Sequence, residues 1–313
     1  MLSRTADNLY WMSRYVERAE NIGRILFAAS RMAAISNLAD GPASEWRSAL
    51  AAAACEEAFF EQHETVTPER VFEFLAFSEA NPASIRNCLR TARANARAVR
   101  TALTYETWEA INGSWLELDD YRTGDFSPSQ LNRFINWVKE TSLRVDGSAY
   151  RTMLRNDAYW FSRLGVYVER ADNTARILDV KYHVLLPRNE PVGGGLDYFQ
   201  WSAILRSVSA LTAYRWVYRD SLKPWLIADL LVLREEMPRS LASCYANISM
   251  FLDELARSYG RHGESQRAAR RMTARLRNTR TEDIFQSGLH EFLTEFVREN
   301  GLLGAAIADQ YLV

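Results

Sequence analysis

The residues best equipped for acid/base, electrostatic or ligand chemistry stand on two short stretches, YVERAENIGRIL at 15–26 and YVERADNTARIL at 167–178. Glu17, Arg18, Asn21 and Arg24 follow i, i+1, i+4, i+7 spacing, and Glu169, Arg170, Asn173 and Arg176 repeat it, with Glu20 and Asp172 in between and Arg14 one turn ahead. On a helix that spacing makes one polar stripe. A carboxylate set in a cleft could move protons, which makes Glu17 and Glu169 the acid/base candidates. Three readings compete: a ligand or partner site, a buried polar network between the two stretches, and a solvated face whose ion pairs contribute only tenths of a kcal/mol. Charge identity is kept between the stretches while apolar positions elsewhere are exchanged, which argues for a geometric demand on the stripe.

Other chemistries find little footing. Convergence of Glu17, Glu20, Glu169 and Asp172 on a metal pair is disfavoured, because His63, His183, His262 and His290 do not stand three residues after any of them and arginines already supply cations. No metal and no cofactor is therefore expected. Cys55, Cys88 and Cys244 are far apart in the sequence and read as reduced, buried thiols; Cys55 also adjoins Glu56 and Glu57, which would raise its pKa. The chain contains no GxSxG, GxxxxGK[ST] or GxGxxG sequence. Arg267, Arg271 and Arg275, with Arg270, Arg277 and Arg280 nearby, form a positive stripe that reads as a solvated face or an acidic partner's dock ahead of a phosphate site. Tyr10, Trp11 and Tyr15, and likewise Tyr159, Trp160 and Tyr167, flank the two stretches and read as core packing.

Helices must position these residues. Apolar side chains recur with helical rhythm from Thr5 to Ser36, then over 44–61, 68–78, 82–103, 104–118, 127–145, 153–186, 198–218, 224–234, 238–258, 265–280 and 282–310. No run alternates with the period of a strand. Pro68, Pro82, Pro224 and Pro238 each open a periodic run, where a proline loses no hydrogen bond. Connections are expected at Asp40 to Pro42, Pro187 to Asp197 and Gly260 to Gly263.

The two stretches belong to a larger duplication. At a shift of 152, nine of their twelve positions are identical, the others being Glu20/Asp172, Ile22/Thr174 and Gly23/Ala175. Pro68, Val71, Leu75, Pro82, Ser84 and Cys88 match Pro224, Ile227, Leu231, Pro238, Ser240 and Cys244 at a shift of 156, and Trp46 with Leu50 matches Trp201 with Leu205 at 155. The fold expected is all-α: a helical bundle of two diverged tandem repeats, 1–150 and 151–313, with pseudo-two-fold symmetry.

With 313 residues, 48% of them hydrophobic, the chain can bury a large core, and its net charge of -1 gives no global field for nucleic acid or anionic membrane. No stretch of about 18 uncharged apolar residues offers a span, and the N-terminus lacks the apolar run of a signal peptide. A cytoplasmic protein without membrane or nucleic-acid partners is expected; the oligomeric state is left open.

The segments LSRTADNLYWMSRYVERAEN, YVERADNTARIL, PERVFEFL and PRSLASC together resemble the bacterial alpha-E family, over essentially the whole chain. Members commonly read YWMGRYxERAENxAR near the start; here Ser13 replaces the glycine, and Ile22-Gly23 the usual small pair. The resemblance implies an association with circularly permuted ATP-grasp proteins and transglutaminase-like proteins, in systems proposed to make or trim peptides. It also implies that Glu17, Arg18, Glu20, Asn21 and Arg24, with Glu169, Arg170, Asp172, Asn173 and Arg176, are the positions that matter. The expectation is a non-catalytic adaptor or accessory subunit that binds the ligase or its peptide substrate through the motif. The alternatives are an enzyme component using Glu17 or Glu169, and a purely structural clamp between repeats.

Overall fold

The computed structural model describes residues 1–36, 43–122, 127–183 and 194–312, and every regular element among them is helical. In chain order these are α1 (Ser3–Ser36), α2 (Ala43–Ala52), α3 (Glu56–Phe60), α4 (Pro68–Ala76), α5 (Ile85–Ala98), α6 (Tyr105–Glu117), α7 (Pro128–Thr152) and α8 (Asp157–His183). They continue with α9 (Gly195–Ser207), α10 (Leu211–Tyr218), α11 (Pro224–Ala228), α12 (Leu241–Tyr259), α13 (Glu264–Asn278), α14 (Thr281–Ser287) and α15 (Leu289–Ile307). The connection expected at Asp40 to Pro42, and residues 187–193 of the later one, lie outside the described residues.

Local chemistry sets the boundaries. Pro68 and Pro224 open α4 and α11 as expected, but Pro82 and Pro238 stand ahead of their helices, which start after Ser84 and Ser240. Each of these serines accepts a backbone N–H three residues on, from Asn87 and Ser243, and so caps its helix. Three runs read as single helices are in fact broken. The first stops at Ala54 (φ 53°), the second at Ser209 (φ 60°) and the last at Gly288 (φ 91°). The first two breaks close identically: Cys55 N–H reaches Leu50 O at 3.1 Å, and Ala210 N–H reaches Leu205 O at 2.7 Å. This is the six-to-one hydrogen bond of a Schellman end, which hydrophobic periodicity does not register.

α1 and α8 lie together at the centre and make the most extensive helix pairing of the fold. α1 also packs on α2, α5, α7 and α9, and α8 on α2, α12 and α15. Both long helices are thus enclosed on several sides, so much of their polar stripes is removed from water, Arg18 and Arg176 being the most exposed of the stripe residues. The two helices approach closely at Gly165, where a Cβ would stand 2.2 Å from the Tyr10 carbonyl oxygen and 3.1 Å from Ser13 Cβ. Position 165 corresponds to 13 at the shift of 152. Gly165 thus supplies the clearance that lets Ser13 sit at the same crossing.

Candidate functional site: a buried arginine–glutamate lattice

Each motif glutamate points across to the other long helix. Arg170 donates to both oxygens of Glu17 (Nε to Oε1 and Nη2 to Oε2, 2.9 Å each), and Arg18 donates to both oxygens of Glu169 at 2.6 and 3.0 Å. Side-on bidentate pairing of this kind matches the guanidinium fork to the carboxylate plane. The Glu17 and Glu169 side chains are each 3% exposed.

A second arginine completes each carboxylate, from a different source in each case. Arg14 reaches Glu169 at 2.8 Å from one turn earlier on α1, whereas Arg239, just ahead of the Ser240 cap of α12, reaches Glu17 at 3.0 Å. Arg239 continues to Glu20 at 2.7 Å, and Glu20 also accepts from Arg24 and from Ser142 of α7. Arg24 donates in addition to the Ser207 carbonyl, tying α1 to the end of α9. On α8, Arg176 pairs with Asp172 at 2.6 Å. Asn173 donates to the Glu17 carbonyl at 3.4 Å, and Asn21 is buried beside it with its Oδ1 unpartnered among the described residues. All eleven candidate residues thus lie on the α1–α8 pair, and the lattice adds Ser142, Thr174 and Arg239.

Six guanidiniums (Arg14, Arg18, Arg24, Arg170, Arg176, Arg239) surround four carboxylates, and the electrostatics follow. Burial pushes the Glu169 carboxyl up, but Arg14 and Arg18 outweigh it and hold the group below the usual carboxylate range. Arg239 and Arg24 likewise overcome burial at Glu20. At Asp172 burial, helped by the neighbouring Glu169 carboxylate, outweighs Arg176 and Arg14, and the group is shifted the other way. The cationic excess reaches Lys139, whose ammonium lies 4.2 Å from the Phe27 ring centroid; burial and the nearby Arg24 bring its pKa down to about 8.

The flanking aromatics serve the same lattice. The Arg18 guanidinium lies 5.4 Å from the Tyr15 ring centroid, Arg170 stands at the same distance from Tyr167, and Arg14 lies 4.7 Å from that of Trp11. Tyr10 and Tyr159 are buried in the core, with Trp11, Tyr15, Trp160 and Tyr167 packed against it. Burial also pushes the thiols of Cys55, Cys88 and Cys244 up to about 12, so none of the three is a ready nucleophile. Among the described residues, no three His, Cys, Asp or Glu side chains gather as a metal-ligand set.

Sequence reasoning missed Arg239, whose neighbours Pro238 and Ser240 read only as a helix start. A signal was present. At the shifts of 156 and 152 its counterpart is Ala83, while Thr174, whose hydroxyl holds the Arg239 carbonyl at 2.8 Å, replaces Ile22. The two positions differ together between the aligned stretches. His290 on α15, considered only as an absent metal ligand, pairs with Asp179 on α8 at 2.8 Å. In the arginine stripe of α13, Arg267 and Arg271 pair with Glu264, Arg270 with Asp253, Arg275 with Glu299 and Arg277 with Glu235, so its charge is largely compensated.

An all-helical protein whose paired Glu-Arg dipeptides brace two central helices is the class that this geometry defines. The family model described as Alpha-E, "a predicted alpha-helical domain with a conserved ER motif", matches residues 1–312, and the chain belongs to that family. No curated protein and no solved structure matches it. Among the described residues no helix is long and apolar enough to cross a membrane.

Proposed function

We propose that this chain is a non-catalytic helical adaptor in which the Glu-Arg motif is the clamp holding two diverged repeats, 1–150 and 151–313, about a pseudo-two-fold axis. The observation that carries the reading is the reciprocal exchange: Glu17 takes Arg170 while Glu169 takes Arg18. Parallel packing supports the duplication, since α1 rests on α5 and α7 while α8 rests on α12 and α15. So do the matching Ala54 and Ser209 helix ends.

The clamp leaves the motif little chemistry to spare. A general acid or base needs a carboxyl open to substrate with a pKa near the working pH. Glu17 and Glu169 are instead buried, each under two guanidiniums, and Glu169 is held low. Partner binding accordingly falls to the outer surface in this reading. The partner in this reading is the ATP-grasp ligase-type or transglutaminase-like protein that the sequence resemblance implies, in the cytoplasm.

Thermal unfolding and capture of a co-expressed ATP-grasp ligase, both measured on Glu17→Ala, test the proposal. It expects a large loss of stability and loss of capture only to the extent that the fold is lost. A variant that melts like the wild type yet no longer supports the system in cells would overturn the clamp and return the motif to chemistry.

A further inference from the structure

Two exposed surfaces of opposite sign sit at corresponding places in the chain. Residues 55–69 carry Glu56, Glu57, Glu61, Glu64 and Glu69 and no lysine or arginine. Residues 211–225, which align with them at the shift of 156, carry Arg215, Arg219 and Lys223 against the single Asp220. On the folded protein Glu57, Glu61, Glu64 and Glu69 are exposed around α3 and the start of α4, and Arg215 and Arg219 are exposed at α10. The four glutamates outnumber the exposed Arg47, which lies over the Phe60 ring, and Arg70, which bonds Thr65. Among the described residues neither these glutamates nor Arg215 and Arg219 have a salt-bridge partner, whereas Glu56 pairs with Arg47 and Lys223 with Asp220.

Both surfaces also expose aromatic rings. Phe60 is 40% exposed on the acidic side; Trp216 and Trp225 are 77% and 50% exposed on the basic side. The tryptophans are not on a loose loop. The Tyr214 hydroxyl donates to the Ser221 carbonyl at 2.7 Å and accepts the Lys223 N–H at 3.1 Å, fixing the link between α10 and α11. A rigid, solvent-facing tryptophan beside uncompensated arginines has the composition of an interface hot spot. Phosphate or nucleic-acid binding would use the basic surface and leave the acidic one, with its own exposed ring, without a role.

We propose that copies of this chain associate head to tail, the basic tryptophan surface of α10–α11 in one copy seating on the acidic surface of α3–α4 in the next. The charges on each surface complement those on the other, so they steer and register the contact, and the aromatic rings provide its dry centre. Each copy then offers its basic surface to one neighbour and its acidic surface to another, which makes the contact heterologous.

Sedimentation velocity of the full chain, at about 20 mM and about 500 mM salt, tests the proposal, since screening shortens the reach of exposed charges. At low salt the mass exceeds the monomer and grows with concentration; at high salt it returns to the monomer. Arg215→Glu with Arg219→Glu, and separately Glu57→Lys with Glu61→Lys, each give a monomer with unchanged helical content and melting temperature. Mixing the two reversed proteins restores complexes. Trp216→Ala weakens association at least tenfold. A wild type that stays monomeric at low salt, association that neither reversal alters, or a mixture that remains monomeric would each overturn the proposal.

Discussion

The distribution of arginines over the motif carboxylates decides what a single substitution does. Removing a carboxylate leaves buried guanidiniums uncompensated, so Glu17→Ala or Glu169→Ala should cost roughly 3–5 kcal/mol in urea unfolding. Arg14→Ala should cost less than Arg18→Ala, because Glu169 then keeps its bidentate partner. The pH dependence follows from the same contacts. Glu20 and Glu169 have folded pKa values below their unfolded ones, so their stabilisation is complete above about pH 4.5 and is lost as the pH falls through the lower folded values. Asp172, shifted upward, opposes them. Acid unfolding followed by circular dichroism should therefore be steep below about pH 4.5, and flatter for Glu20→Gln, which also starts less stable at neutral pH. Equal acid slopes for the variant and the wild type would contradict the assignment. These residues were legible as a set, because charge identity is kept between the two stretches. Which arginine meets which glutamate was not, since the partners lie about 150 residues apart and only the crossing of α1 and α8 joins them.

The elements depend on that crossing. Gly165→Ala puts a methyl group against the Tyr10 carbonyl, a main-chain atom that cannot rotate away, and should cost about 3 kcal/mol or more in thermal unfolding. Ser13→Gly should not rescue it, since the obstruction is backbone. A near-neutral Gly165→Ala would mean that the helices are further apart than described. Helix ends are the second lever. Ala54 and Ser209 hold left-handed backbone without being glycine, so Ala54→Gly and Ser209→Gly should each raise stability by about 0.5–1 kcal/mol, read as a higher melting temperature. Periodicity predicted which segments are helical because burial on one face imposes it; it ran through these breaks because a Schellman end carries no hydrophobic signature when glycine is absent. Two helix starts were placed three residues early for a related reason: the prolines that drew attention, Pro82 and Pro238, precede the serine caps.

At the scale of the molecule, α1 opens the first half of the chain yet makes its most extensive contacts with α8 of the second half. The repeats should consequently unfold together, in one transition whose calorimetric and van't Hoff enthalpies agree. Two separate transitions would refute the clamp as the link between them. The all-helical fold was readable from the missing two-residue period. How the halves face each other was not, because a solvated stripe and a buried lattice have the same helical spacing; what separates them is the enclosure of both long helices, which arises only from the packing of elements distant in the chain. The most direct measurement is the coupling free energy between Glu17 and Arg170, from urea unfolding of the wild type, Glu17→Ala, Arg170→Ala and the double variant. A clamp predicts a coupling of about 2 kcal/mol or more, and a value below about 0.5 kcal/mol, within the range of independent sites, would contradict it.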